Sequence, residues 1–161
     1  MLFSTKAEYG VRLMIELGRR TQGEDGDDEP VALSTVAEAE MLPLSYLEHL
    51  VAKLRQAGLV TSVRGAHGGY RLARPASSIA MLDIVQALEG PIAPMECFHD
   101  VPGGRVLCSH ETDGDRACAT KLLWTRVHGA ITKALAGTTL AELVEFADQH
   151  GAREPVAGTA A

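Results

Sequence analysis

The stretch from Leu33 to Leu72 constrains the fold more than any other part of the chain. Ser34 or Thr35 can cap a short helix running to about Glu40, with Thr35 and Glu38 at capping-box spacing. Pro43 starts a second helix whose Leu44, Leu47, Leu50, Val51 and Leu54 fall on one face. Ser45, His49 and Lys53 fall at four-residue intervals on another. Gly58 ends that helix. The β-branched run Leu59 to Arg64 then reads as a strand, Gly65 to Gly69 as a turn, and Tyr70-Arg71-Leu72 as a short return strand. Two short helices joined tightly and followed by a hairpin predict a mainly α fold of the winged helix-turn-helix type.

The flanks agree with that reading. Tyr9, Leu13 and Leu17 at four-residue spacing, widened by Val11 and Met14, predict an amphipathic helix over 5–20. The acidic run from Gln22 to Pro30 is too polar to pack and is expected to form a mobile loop. Ile84, Val85 and Leu88 give a helix over 80–89, stopped by Gly90-Pro91. A longer helix over 119–136 carries Leu123, Val127, Ile131 and Leu135 in one line and keeps a second apolar side at Leu122, Trp124 and Ala130. That surplus side suits a dimer seam. Thr139 with Glu142 predicts a capped last helix to about Asp148, and a disordered tail is expected beyond Gly151. The expected organisation is a DNA-binding domain over 1–90, a cysteine-bearing loop over 91–118, a dimerisation helix and C-terminal helix over 119–148, and a tail over 149–161.

Charge sets the partner class. The 161 residues carry a formal net charge of -6, which taken alone argues against nucleic acid, since phosphate contacts need Lys and Arg. Its distribution reverses that conclusion. Between Met41 and Pro75 stand Lys53, Arg55, Arg64, Arg71 and Arg74 against the single acid Glu48, while acid gathers in the 24–29 run and the C-terminal half. No signal-peptide pattern follows Met1 and no apolar run reaches membrane-spanning length, so a cytoplasmic protein without membrane contact is expected.

Small or polar side chains at the start of the second helix would meet base edges in a major groove. Ser45, Tyr46, Glu48 and His49 fit, and the Glu48 carboxylate could accept from a cytosine amino group. Ser45 and Glu48 also match a capping box, which needs no DNA. Arg64 and Arg71 suit phosphates on the hairpin, with Gly65, Gly68 and Gly69 allowing close backbone approach. Ordinary solvated charge is the competing reading.

Cys97, Cys108 and Cys118 lie in a Gly-containing stretch with His99 and His110. An odd set of clustered thiols in a reducing compartment points to metal or redox chemistry rather than structural disulfides. Soft thiolates favour iron-sulfur clusters, zinc or cuprous copper. With neither a CxxC pair nor a ferredoxin run, spacing alone leaves three inert buried thiols as an equal reading. A thiol enzyme would need a positioned base in a folded pocket; no such arrangement accompanies these cysteines, so no enzyme is expected.

The runs Ser4-Thr5-Lys6-Ala7-Glu8-Tyr9-Gly10-Val11, Ser45-Tyr46-Leu47-Glu48-His49-Leu50, Leu59 through Tyr70 and Ala76-Ser77-Ser78-Ile79-Ala80 resemble the Rrf-two family of bacterial transcription regulators (IscR-, NsrR-, RirA-, RsrR- and CymR-like) over about residues 1–146. The resemblance implies a homodimer on a partly palindromic double-stranded operator. It implies base or backbone contacts from Ser45, Tyr46 and Glu48, extended here to His49 and Lys53, and a wing made of Arg64, Gly65, His67, Gly69, Tyr70 and Arg71. Cluster-binding members carry three cysteines in this location, which implies an iron-sulfur cluster, 2Fe–2S before 4Fe–4S, with zinc as the alternative.

Two departures from the IscR-like pattern matter. The gaps in Cys97-x10-Cys108-x9-Cys118 are longer, and Lys121 stands where a ligand histidine would follow the last cysteine. Protonated lysine offers no lone pair. NsrR-like and RsrR-like members use a carboxylate on the first helix, donated by the partner subunit, which implies Glu8 as fourth ligand; His99 and His110 are the alternatives. The implied function is operator binding controlled by a cluster that senses iron, nitric oxide or redox state. CymR-like members, controlled by a metabolic enzyme partner and needing no cluster, offer the competing reading.

Overall fold

The computed structural model describes residues 3–21, 29–65, 67–93 and 119–150. The expected acidic loop, the cysteine-bearing loop and the C-terminal tail lie wholly or largely outside these residues. In chain order the elements are α1 (Thr5–Thr21), α2 (Leu33–Glu40), α3 (Leu44–Gln56), β1 (Val60–Val63), β2 (Gly69–Leu72), a 3-10 turn (Ala76–Ser78), α4 (Met81–Glu89), α5 (Ala119–Gly137) and α6 (Leu140–His150).

Helix α1 is the hub. Leu13, Met14 and Leu17 are fully buried, as the four-residue spacing predicts, and α2, α3, β2, α4 and α6 all pack against it. Two glycines allow the closest approaches. A Cβ on Gly10 would lie 2.0 Å from Leu88 Cδ1 of α4, and one on Gly18 would lie 2.8 Å from Val144 Cγ2 of α6. Each buried Leu or Val contributes about 1.5–3 kcal/mol of transfer free energy, so this shared core outweighs the weak preference of any single short helix. Glu16 is also buried, at 4% exposure, which periodicity does not anticipate. Its carboxylate accepts from Arg20 Nε at 2.6 Å and lies 3.5 Å from Arg19 Nη1, which compensates its desolvation. Arg19 also donates to Asp148 of α6 at 2.6 Å, a bond that raises its pKa.

Helix α2 begins two to three residues earlier than the capping residues suggest. Its N-cap is Ala32, which makes no side-chain cap bond, so the Thr35–Glu38 box lies inside the helix. Burial of Leu33, Val36 and Ala37 decides the start instead. Met41 closes α2 in the left-handed region at φ 54, donating its amide to the carbonyls of Ala37 and Glu38. Pro43 is the N-cap of α3, so Ser45 sits within the first turn and cannot cap it. Leu47, Leu50, Val51 and Leu54 are buried, but Leu44, expected inside, is 41% exposed because it precedes the first full turn over the core.

Strands β1 and β2 pair antiparallel, Val60 opposite Leu72 through Val63 opposite Gly69. A bridge between Val31 and Tyr70 adds a third edge and ties the hairpin to the entry of α2. Helix α5 lies beside α4, and none of its residues is buried. The chain then returns to the other end of α4: Met81 donates to the Thr138 carbonyl at 2.9 Å and Leu140 to that of Ile79 at 2.8 Å. Thr139 caps the helix as predicted, the Glu142 amide donating to its Oγ1 at 3.3 Å, while Glu142 Oε1 accepts from that hydroxyl at 3.1 Å rather than from the Thr139 amide of a full capping box.

Candidate nucleic-acid interface

The apolar periodicity of α3 determines which of its side chains face outward. With Leu47, Leu50, Val51 and Leu54 turned to the core, Ser45, Glu48, His49 and Lys53 are exposed and Tyr46 is half-buried. The exposed polar residues therefore run along one side of the helix, Ser45, Glu48 and His49 in its first two turns and Lys53 beyond them, while the other side is fixed by burial. The Lys53 ammonium donates to the Leu88 carbonyl at 3.3 Å, capping the end of α4. Arg55 reaches Ser62 Oγ on β1 at 3.4 Å, so the end of α3 and the hairpin are in contact.

On the hairpin, Arg64, Gly65 and His67 are exposed, whereas Gly69, Tyr70 and Arg71 are half-buried. Gly65 takes φ 126, a conformation open to glycine and strained for other residues. The absent Cβ of Gly69 serves the chain's own packing, since a Cβ there would lie 2.4 Å from the Val31 carbonyl oxygen. That approach permits the paired bonds between Val31 and Tyr70, each 2.8 Å.

Behind the first turn of α3 stands a group that sequence patterning does not single out. The rings of Tyr46 and of Tyr9 on α1 meet edge to face, with centroids 5.8 Å apart and planes at 87°. The Arg12 guanidinium lies 5.8 Å from the centroid of Tyr9. Arg12 also donates through Nε to the Glu40 carboxylate at 2.8 Å and through Nη2 to the Glu40 carbonyl at the end of α2. Tyr9 belongs to the apolar stripe of α1, but its partner is 37 positions away in sequence, a pairing without local signal.

Of the candidate metal ligands, Glu8 is exposed in the first turn of α1. Cys97, Cys108, Cys118, His99 and His110 lie outside the described residues. Among the described residues no group of three or more His, Cys, Asp and Glu could hold a metal, and no helix is long and apolar enough to cross a membrane.

The family model Rrf2, described as an iron-dependent transcriptional regulator, matches residues 3–146. The HTH-type transcriptional regulator CymR of Bacillus subtilis is 38% identical over 148 residues, 92% of this chain and 93% of that protein. The HTH-type transcriptional regulator IscR of Vibrio atlanticus is 36% identical over 145 residues, 90% of this chain and 76% of that protein. The solved structure of CymR, the global cysteine regulator of B. subtilis, superposes with TM-score 0.71 at 39% identity, covering 91% of this chain and 98% of that one. T. potens IscR does so with TM-score 0.69 at 35% identity, covering 96% and 93%. These relatives are regulators, not enzymes, and they share the winged-helix architecture built here from α2, α3 and the hairpin. The chain belongs to the Rrf2 family of transcriptional regulators.

Proposed function

We propose that the chain acts as a homodimer whose binding to a partly palindromic operator is controlled by an iron-sulfur cluster sensing iron, nitric oxide or redox state. The observation that carries the DNA part is the division of α3: four buried aliphatic residues hold one side while Ser45, Glu48 and His49 stand exposed at its start. In this reading Ser45, Tyr46, Glu48 and His49 meet base edges. Lys53, Arg64, Gly65, His67, Gly69, Tyr70 and Arg71 supply backbone and wing contacts. Residues 1–90 form the DNA-binding domain, 91–118 the sensor loop, 119–148 the dimerisation helix and C-terminal helix, and 149–161 the tail.

Helix α5 supports the dimer. It leaves Leu122 and Leu123 more than half exposed on a helix that packs beside α4 without burying any residue, the apolar surplus expected of a seam between two copies. Half-sites about one helical turn apart, roughly 34 Å, then make DNA fit sensitive to small changes in how the subunits are posed.

The donor set fits a cluster. Cys97, Cys108 and Cys118 offer soft thiolates, and exposed Glu8 offers a carboxylate from α1 that a partner chain can approach. A cluster bound there would supply an iron- and redox-dependent tie between subunits, 2Fe–2S being preferred. Anaerobic reconstitution followed by absorption spectroscopy and iron and sulfide analysis tests this; colourless protein containing zinc would replace the cluster with a structural site. The triple Cys→Ser variant should lose condition-dependent DNA binding.

A second reading is favoured by the 38% identity to CymR and by Lys121 at the place of a histidine ligand. It keeps the DNA-binding fold and assigns control to a protein partner. Regulated DNA binding that survives replacement of all three cysteines would select it.

A further inference from the structure

We infer that Arg12 and Tyr9 of α1 are positioning residues for DNA reading, setting the first turn of α3 against the end of α2 by clamping Tyr46. The inference rests on the proposed role of α3. Only the short turn Met41 to Pro43 separates α2 from α3, and it is held by the Met41 and Leu42 amides, which donate back to α2, and by the buried side chain of Leu42. The stack spans that turn from outside. Arg12 grips the α2 end through both the carboxylate and the carbonyl of Glu40, and its guanidinium faces Tyr9. Tyr9 in turn meets Tyr46 edge to face.

The geometry is directional for an electrostatic reason. Edge-to-face rings align a positive rim with a negative face, and a cation near the first ring engages the same quadrupole. An aliphatic side chain at position 9 would fill much of the volume without fixing the angle. Tyr46 lies between Ser45 and Glu48, so a rotation of this turn moves those side chains relative to base edges. Base readout depends on closely set donor and acceptor positions, whereas long basic side chains on phosphates tolerate such shifts. Loss of the stack should therefore reduce discrimination between sequences and leave salt-dependent, non-specific affinity in place.

The probe is a duplex selected from a randomised library by the unaltered full-length protein, compared with a scrambled duplex of the same composition. Tyr9→Leu and Arg12→Gln should each lower the selected-to-scrambled affinity ratio about ten-fold, equivalent to about 1.4 kcal/mol. Affinity for the scrambled duplex and the salt slope should stay unchanged. Tyr9→Phe, which keeps the ring edge, should retain the ratio within about two-fold. Should Tyr9→Leu melt the protein, Arg12→Gln, lying partly at the surface, decides the matter. An unchanged ratio in the folded variants overturns the inference, as does a salt slope reduced by about one in Arg12→Gln, the signature of a phosphate contact. Glu48→Ala and Arg64→Ala run in parallel: if neither alters binding, the assignment of α3 and the hairpin to DNA fails as well. If they weaken binding while the α1 variants do not, the positioning role alone falls.

Discussion

Helices α3 and α5 carry comparable apolar lines and reach opposite situations. In α3, Leu47, Leu50, Val51 and Leu54 are each 2% exposed or less, enclosed by α1, α2, α4 and β1. In α5, over 19 residues, no side chain is buried, and Val127, Ile131 and Leu135 are only half-covered by contact with α4. The difference teaches that an apolar stripe records a need for a partner without saying whether the same chain supplies it. What distinguishes the two is the second apolar side of α5, Leu122, Trp124 and Ala130, against the polar outer side of α3. A helix with one apolar side completes a monomer; a helix with more leaves an unmet requirement.

Substituting the apolar residues of either helix should break this contrast most clearly. Leu54→Ala in α3 should destabilise the protein by about 3 kcal/mol through lost burial and a residual cavity, read from denaturant unfolding. A change under 1 kcal/mol would mean that α3 is not held as described. Leu122→Glu with Leu123→Glu in α5 should alter unfolding of dilute monomer by less than about 0.5 kcal/mol, as expected of surface sites. Sedimentation should nevertheless show the pair unable to self-associate. Dimers persisting at micromolar concentration would remove α5 from the seam.

Smaller effects sharpen the same comparison at the edges of the reading half. Met41 is 77% exposed with a left-handed backbone, so Met41→Gly should raise stability by about 0.5–1 kcal/mol, visible as a rise of a few degrees in Tm. A loss instead would show that the methionine side chain is used. The smallest effect concerns Glu89, whose carboxylate accepts from the amide and hydroxyl of Ser4. The Ser4 hydroxyl bond, more than any other contact, lowers the pKa of Glu89. A depressed folded value means that the contribution is fully present above the unfolded pKa, about 4.3, and disappears as pH falls through the folded value. Ser4→Ala should raise the Glu89 pKa in an NMR titration, and its stability deficit should vanish in acid. A deficit independent of pH would dissociate the two residues.

Much of this was legible in the sequence because its signals are local. The spacing of Leu13 and Leu17, the core face of α3, the β-branched run into Gly65 and the Thr139 cap each lie within one element or one turn. What patterning missed depends on distant neighbours. Burial rather than a cap starts α2 at Leu33, Glu16 is tolerated inside because two arginines reach it, and Gly69 is explained only once Val31 lies alongside. At the site, the outward polar residues of α3 followed from periodicity, whereas the Arg12–Tyr9–Tyr46 stack needs three elements assembled. The three cysteines, legible as candidate ligands, fall outside the described residues.

The two ends of α4 carry a further consequence. Gly90 follows a helix end secured by Lys53 and by the Ser4–Glu89 clip, and Thr138 returns to the opposite end through backbone bonds to Met81 and from Leu140 to Ile79. The described residues on either side of positions 94–118 are thus both fastened to the two ends of a single rod. Severing the backbone between residues 94 and 118 should leave both fragments joined in one particle, because α6 keeps Leu140 and Val144 inside the core whether or not the backbone is continuous.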